Sequence, residues 1–309
     1  MNNSYSEEFD LIPSTESIEN RSPIIHVGHN LGIEVWCVKS LFMYCYANYF
    51  DLKSVWKQEH YRLERYSRTA LMLNNNISAF WNYRKKLIVN GLLNPQQDFL
   101  LTKLILSQNS KSVEALAHRR WLLKQQDFPL NCIENELKLC NQLSNRMKCN
   151  YHAWSHRQWV LSFSEDFNVE LWLSEFKVSE EWSKCHVSDH CGWHHRQFLL
   201  NQFQGSLSNI EQNLQSLLHL LNRASTIKSP CQLLESLLLE ELEKNQDLIL
   251  NFSAHESLWY YRRFVLRKIL DFRSWDEESF LQKCRKSLNY DSHQERYMVH
   301  HRRWLSDSL

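Results

Sequence analysis

The sequence predicts an all-α fold, an α/α superhelix of antiparallel helix hairpins. Three observations carry that prediction: few turn-forming residues, a motif that occurs six times at two-helix spacing, and an amphipathic stretch before most of its copies. Only 5 Gly and 5 Pro occur among 309 residues, so the tight turns of a β-sandwich or barrel would lack their usual residues. The same shortage removes glycine-rich phosphate loops. Neither G-x-G-x-x-G nor a Walker sequence is present, and any phosphate must be held in another way.

Taken in order, residues 1–33 are polar and without periodicity and read as an N-terminal tail. Residues 34–309 read as a single repeat domain. Stretches 35–50 and 55–73 are apolar-periodic and predict the opening helices. Further first helices of hairpins are expected over 94–106, 131–147, 168–184, 231–250 and 274–288. Asn94-Pro95 marks the start of one of them. Each repeated motif then predicts the second helix of its pair. Residues 201–230 are polar enough for loops around one extra helix and read as an insertion.

The six motif copies align without gaps on an anchor position, occupied by Trp81, Leu116, Trp154, Trp193, Trp259 and Val299. Those numbers give steps of 35, 38, 39, 66 and 40 residues, which suit two-helix units apart from the one long step. A His or Tyr always stands two residues after the anchor. An arginine always stands three after it: Arg84, Arg119, Arg157, Arg196, Arg262 and Arg302. The anchor, the arginine and the apolar residue at plus six share a helical face that must be buried, and an aromatic at plus five widens it in five copies. A buried arginine is costly unless carbonyls or carboxylates of the adjoining unit satisfy it. The tryptophans and arginines are therefore structural. The acidic run at Glu240, Glu241 and Glu243 reads as the solvated side of an amphipathic helix.

Charge excludes other classes. Thirty-six Lys and Arg against 35 Asp and Glu leave a net charge of +1, which gives no overall footprint for nucleic acid. Nine cysteines without C-x-x-C pairs, and no secretory leader after Met1, predict reduced thiols and a cytoplasmic protein. No apolar run approaches the ~18 residues that a bilayer crossing needs. His186, His190 and His194 are spaced by four, but no acid completes an H-E-x-x-H pattern and Ser188-Asp189 reads as a helix cap, so no metal site is expected. A tetratricopeptide scaffold would have a period of about 34 and no arginine three after Trp.

With Trp, His and Arg in these positions, the segments resemble the repeat of protein prenyltransferase α subunits. Asn150-Tyr151-His152-Ala153-Trp154-Ser155-His156-Arg157 is the best-matching copy, and the resemblance runs over roughly residues 50–305. It implies a crescent of α-hairpins wrapped around a prenyltransferase β subunit of the Rab geranylgeranyltransferase type. That β subunit would carry zinc and the prenyl pocket, and the protein substrate would offer a C-terminal cysteine. The resemblance further implies that Lys111, Tyr151 and His152 act at the diphosphate of the prenyl donor, with Ser112 and Asn150 on the same partner-facing side. The chain departs from the family at Val113, where the catalytic α subunits tend to have Tyr, and at Leu116 and Val299, where the anchor is not Trp. A non-catalytic scaffold or substrate-docking subunit is the alternative. Spacing alone puts Lys111 and Tyr151 at the N-terminal ends of neighbouring second helices, where free N–H groups and the helix dipole favour an anion.

Overall fold

The computed structural model describes residues 6–13, 22–125, 130–163, 168–221, 226–287 and 291–308. Among these residues it holds fourteen α-helices and three short strands, and the chain divides into two compact units, Met1–Leu161 and Ser162–Leu309. The helical hairpin fold itself agrees with the prediction.

In the first unit, strands β1 (Glu8–Ile12), β2 (Ile24–Val27) and β3 (Asn30–Glu34) form a sheet of order β1-β3-β2, parallel between β1 and β3 and antiparallel between β2 and β3. The expected featureless tail is thus corrected over these residues. Glu8 pairs with Asn30, and pairing across so many residues leaves no local periodicity to read. Phe9, Ile33 and Cys37 make a small core of their own. Helices α1 (Val35–Leu52) and α2 (His60–Leu73) follow, with a 3-10 turn at Lys53–Val55 between them.

The hairpins then proceed in register. Helices α3 (Ser78–Val89), α5 (Val113–Lys124) and α7 (Tyr151–Ser162) carry motif copies, and α4 (Pro95–Gln108) and α6 (Leu130–Arg146) are the first helices between them. Asn94 caps α4 by accepting from Gln96 N, and Pro95 takes the first helical position, where its missing N–H costs nothing.

The second unit contains α8 (Val169–Cys185), α9 (His190–Gly205), α10 (Leu207–Leu220), α11 (Pro230–Asn251), α12 (Glu256–Ile269), α13 (Glu277–Arg285) and α14 (Ser292–Ser308). Helix α10 lies in the stretch read as an insertion, and residues 222–225 of that stretch fall outside the described residues. Leu288, at the end of one expected helix, falls outside them too.

The plus-six residues Leu87, Leu122, Val160, Leu199 and Val265 are fully buried. Anchors Trp81, Trp154, Trp193 and Trp259 are buried with them, as is Leu116. Val299 is 51% exposed and Leu305 half-buried. The plus-five aromatics do not extend the buried face as expected. They are half-buried and stack on the plus-two ring of their own helix: Trp121 on His118, Trp159 on His156, Phe198 on His195, Phe264 on Tyr261 and Trp304 on His301. Three residues apart on a helix, those rings meet naturally.

Candidate functional site

Each buried arginine has one pattern of partners. Its Nη1 faces a backbone carbonyl 20 residues earlier on the first helix of its own hairpin. The acceptors are Glu64 O for Arg84, Phe99 O for Arg119, Leu137 O for Arg157, Phe176 O for Arg196 and Leu242 O for Arg262. Four of these guanidinium groups also grip an acid on the first helix of the next hairpin. Arg84 binds Asp98, Arg119 binds Glu136, Arg196 binds Glu241 and Arg262 binds Glu277. The same acid meets the plus-two residue of its own hairpin: His118 at 2.7 Å from Asp98, His156 at 2.9 Å from Glu136, Tyr261 at 2.5 Å from Glu241 and His301 at 2.8 Å from Glu277. His195 stands 3.5 Å from Glu175 in the equivalent place. Within each unit the repeat therefore forms an interlocked column of arginine, acid and histidine or tyrosine.

Two readings change with this column. Glu241 is 3% exposed rather than solvated, and Arg302, the last copy, is half-exposed and bound to Glu278. The acids were the residues the motif reading missed. Four of them stand 20 residues before the plus-two residue, a fixed offset visible in the sequence.

Burial alone would raise the pKa of Glu136, but Arg119 and His156 outweigh it and hold the carboxyl at about 2. Burial pushes His118, His156 and His301 below the ordinary histidine value, although each faces a carboxylate. Arg120 donates to His156 Nδ1 at 3.2 Å, so the proton sits on Nε2 and points at Glu136. Both kinds of group carry the same sign. A lowered histidine pKa costs stability as pH falls below 6.5, because the unfolded chain takes the proton first; a lowered carboxyl pKa costs stability as pH falls below 4.5 toward 2. Urea unfolding midpoints are expected to fall steadily from pH 7 to pH 3, and His156→Gln to flatten the upper part of that decline. A profile that stays level over this range contradicts the account.

The helix tips on one side of the first unit hold the remaining candidates. Asn75 precedes α3, and its backbone oxygen accepts from Trp81 Nε1 at 2.8 Å. Its side-chain oxygen accepts from Ser112 Oγ at 2.9 Å and from Asn109 Nδ2 at 3.3 Å. Ser112 caps α5 through Ala115 N, and Asn109 Oδ1 accepts from Lys111 N. Asn150 is fully buried. Its Nδ2 donates to Ser110 O at 2.8 Å and approaches Leu143 O at 3.4 Å, while its Oδ1 accepts from Ala153 N. One amide thus caps α7 and clamps it to the turn that carries Lys111.

Ser112 and Asn150 are consequently supports, and their polar atoms are spent. Lys111 and Tyr151 are exposed, Tyr151 by 64%, and His152 is half-buried with its ring 5.7 Å from that of Tyr151. Among the described residues no carboxylate pairs with Lys111. The clamp brings Lys111 and Tyr151 to adjacent tips with an ammonium, a phenol and two helix N-termini facing solvent. Such a surface suits the negative charge of a phosphate group. Val113 is exposed beside them.

Asn150→Ala is expected to cost about 2 kcal/mol, the sum of a lost cap and an unpaired buried carbonyl. Asn150→Asp keeps the cap but not the donor and should recover about half. Thermal melts of the two variants test this, and equal melts would remove the clamp from the argument.

No group of three or more His, Cys, Asp or Glu side chains placed to hold a metal ion occurs among the described residues. His186 Nδ1 instead lies 2.9 Å from Trp182 O at the end of α8, and Asp189 caps α9 through Cys191 N. No helix there is long and apolar enough to cross a membrane.

Fold and column together define an α-hairpin repeat protein of the prenyltransferase α-subunit type. The model of the protein prenyltransferase alpha subunit repeat matches residues 133–164, 172–203 and 238–269, which fall on α6–α7, α8–α9 and α11–α12. The human protein prenyltransferase alpha subunit repeat-containing protein 1 is 36% identical over 295 residues, covering 85% of this chain and 73% of its own length. The Danio rerio protein of the same name is 33% identical over 84% of this chain and 67% of its own. The chain belongs to this family of protein prenyltransferase alpha subunit repeat-containing proteins. The rat geranylgeranyl transferase type-2 subunit alpha is a more distant relative, 24% identical over 62% of this chain and 31% of its own length.

Proposed function

We propose that this chain is the non-autonomous α subunit of a heterodimeric protein prenyltransferase that attaches geranylgeranyl to a C-terminal cysteine of a protein substrate in the cytoplasm. The observation that carries this reading is the Asn150 clamp, which sets Lys111 and Tyr151 side by side at two helix N-termini. The likeness to the rat type-2 α subunit supports a β subunit of the Rab geranylgeranyltransferase type as partner. Zinc and the prenyl pocket belong to that partner, where the metal would hold the substrate thiol as its thiolate.

In the reaction the C1–O bond of the prenyl diphosphate breaks, its electron pair leaves with the diphosphate, and the thiolate sulfur forms a thioether bond to C1. Charge grows on the departing diphosphate. Fixed donors aimed at it, Lys111 Nζ and the Tyr151 hydroxyl with His152 beside it, stabilise that charge without having to reorganise. Val113 favours a second reading, in which the chain docks substrate and leaves the diphosphate to the β subunit. The reading is tested by co-expressing the chain with candidate β subunits and offering the co-eluting pair labelled geranylgeranyl and farnesyl diphosphates with cysteine-tailed proteins. A stable pair that transfers label supports it. Failure to co-elute with any β subunit overturns it.

A further inference from the structure

The end of the first unit remote from Lys111 is strongly basic. Lys53 lies 4.3 Å from the centre of the Phe50 ring, and Lys86 and Lys57 lie 3.7 and 5.9 Å from that of Trp56. Lys85 is 5.6 Å from the Trp121 ring, and Lys124 ends α5 exposed. The cations gather where α1, α3 and α5 end and α2 begins. Phe50 and Trp56 pack on the main core cluster, so the platform beneath the ammonium groups is rigid.

Among the described residues none of these lysines forms an ion pair. The acids nearby do not balance them. Glu59 pairs with Arg62 at 3.3 Å and Asp98 is buried against Arg84, which leaves Asp51 and Glu134 exposed among the described residues, two acids against five lysines. Set among the lysines are three exposed aliphatic side chains, Val55, Val89 and Leu92, with Val89 69% exposed. Helix α3 separates this end from the Asn75–Lys111 tips by about 18 Å, twelve residues at the α-helical rise, so a ligand here does not compete for the tips.

We propose that this end docks on an anionic lipid surface. Lysine ammoniums on flexible stems reach the headgroups, Trp56 sits at interfacial depth, and the aliphatic residues enter the acyl boundary. A nucleic acid would use the charge but leave Val55, Val89 and Leu92 without a role. The inference concerns the chain alone and does not depend on a β subunit.

The test is co-sedimentation of the full chain with phosphatidylserine–phosphatidylcholine vesicles, against vesicles of phosphatidylcholine only. Binding is expected to require phosphatidylserine and to weaken with salt. Each lysine contributes about fivefold, so Lys53→Gln/Lys57→Gln/Lys86→Gln should lose on the order of 100-fold. Val55→Ser/Val89→Ser, with every charge kept, should also lose several-fold. These sites are exposed, and unchanged melts show that both variants fold. Equal binding to both vesicle types, no binding, or an unaffected triple variant overturns the proposal. So does serine-variant binding that matches the parent while single-stranded RNA binds through the same lysines.

Discussion

Arg196→Met is expected to lower the stability of the second unit by about 3–5 kcal/mol, the range for breaking one side of a buried ion pair. Arg196 is buried and gives Glu241 two bonds, at 3.0 and 2.5 Å, while also bonding Phe176 O at 2.8 Å and Ser179 Oγ at 3.0 Å. Its loss takes the guanidinium from Glu241, which keeps the Tyr261 hydroxyl, and removes a charged donor from Phe176 O and Ser179 Oγ, which still bond each other at 3.0 Å. Lysine cannot reproduce the two-pronged geometry, so Arg196→Lys should recover little. Removing the stranded charge as well, in Arg196→Met/Glu241→Leu, should return a large part of the loss. Urea unfolding followed by tryptophan fluorescence measures all three variants. A single-variant loss below about 1 kcal/mol, or strict additivity in the double variant, would refute the interlocked column.

In the reconstituted pair, Lys111→Ala is expected to slow single-turnover prenyl transfer at saturating lipid by roughly 30- to 1,000-fold, equivalent to about 2–4 kcal/mol of transition-state stabilisation. Lys111 is exposed and sits outside the core, so stability and association with the β subunit should not change. Lys111→Arg keeps the charge and should retain part of the rate. A Lys111→Ala pair as fast as the parent removes the lysine from the chemistry and leaves the docking reading in its place. The Asn150 variants add an independent check: loosening the clamp should slow transfer while leaving the Lys111 ammonium present, because misplacement by as little as 1 Å is costly.

The helices were legible because each buries one stripe at helical period, and the second helices because a tryptophan and an arginine recur on that stripe. Lys111 and Tyr151 were singled out by the family resemblance, and their offsets to the anchors put them at helix N-termini. Asn150 was found beside them, but its role was not: the bond to Ser110 O spans 40 residues. The acids escaped for another reason. Glu241 stands in an acidic run, and nothing local distinguishes it from Glu240 and Glu243, one half-exposed and the other exposed, until Arg196 from a different hairpin reaches it. The strands β1 and β3 were hidden in the same way, by pairing at long range.

The sequence by itself determined the helical class, the hairpin spacing and the buried arginine face, since helical periodicity and the cost of an unpaired buried charge act within a few turns of chain. Tertiary structure alone decided which carboxylate answers each guanidinium, which amide locks the two tips together, and where uncompensated lysines collect. Those outcomes depend on groups far apart in the chain meeting in space, and local pattern carries no record of that.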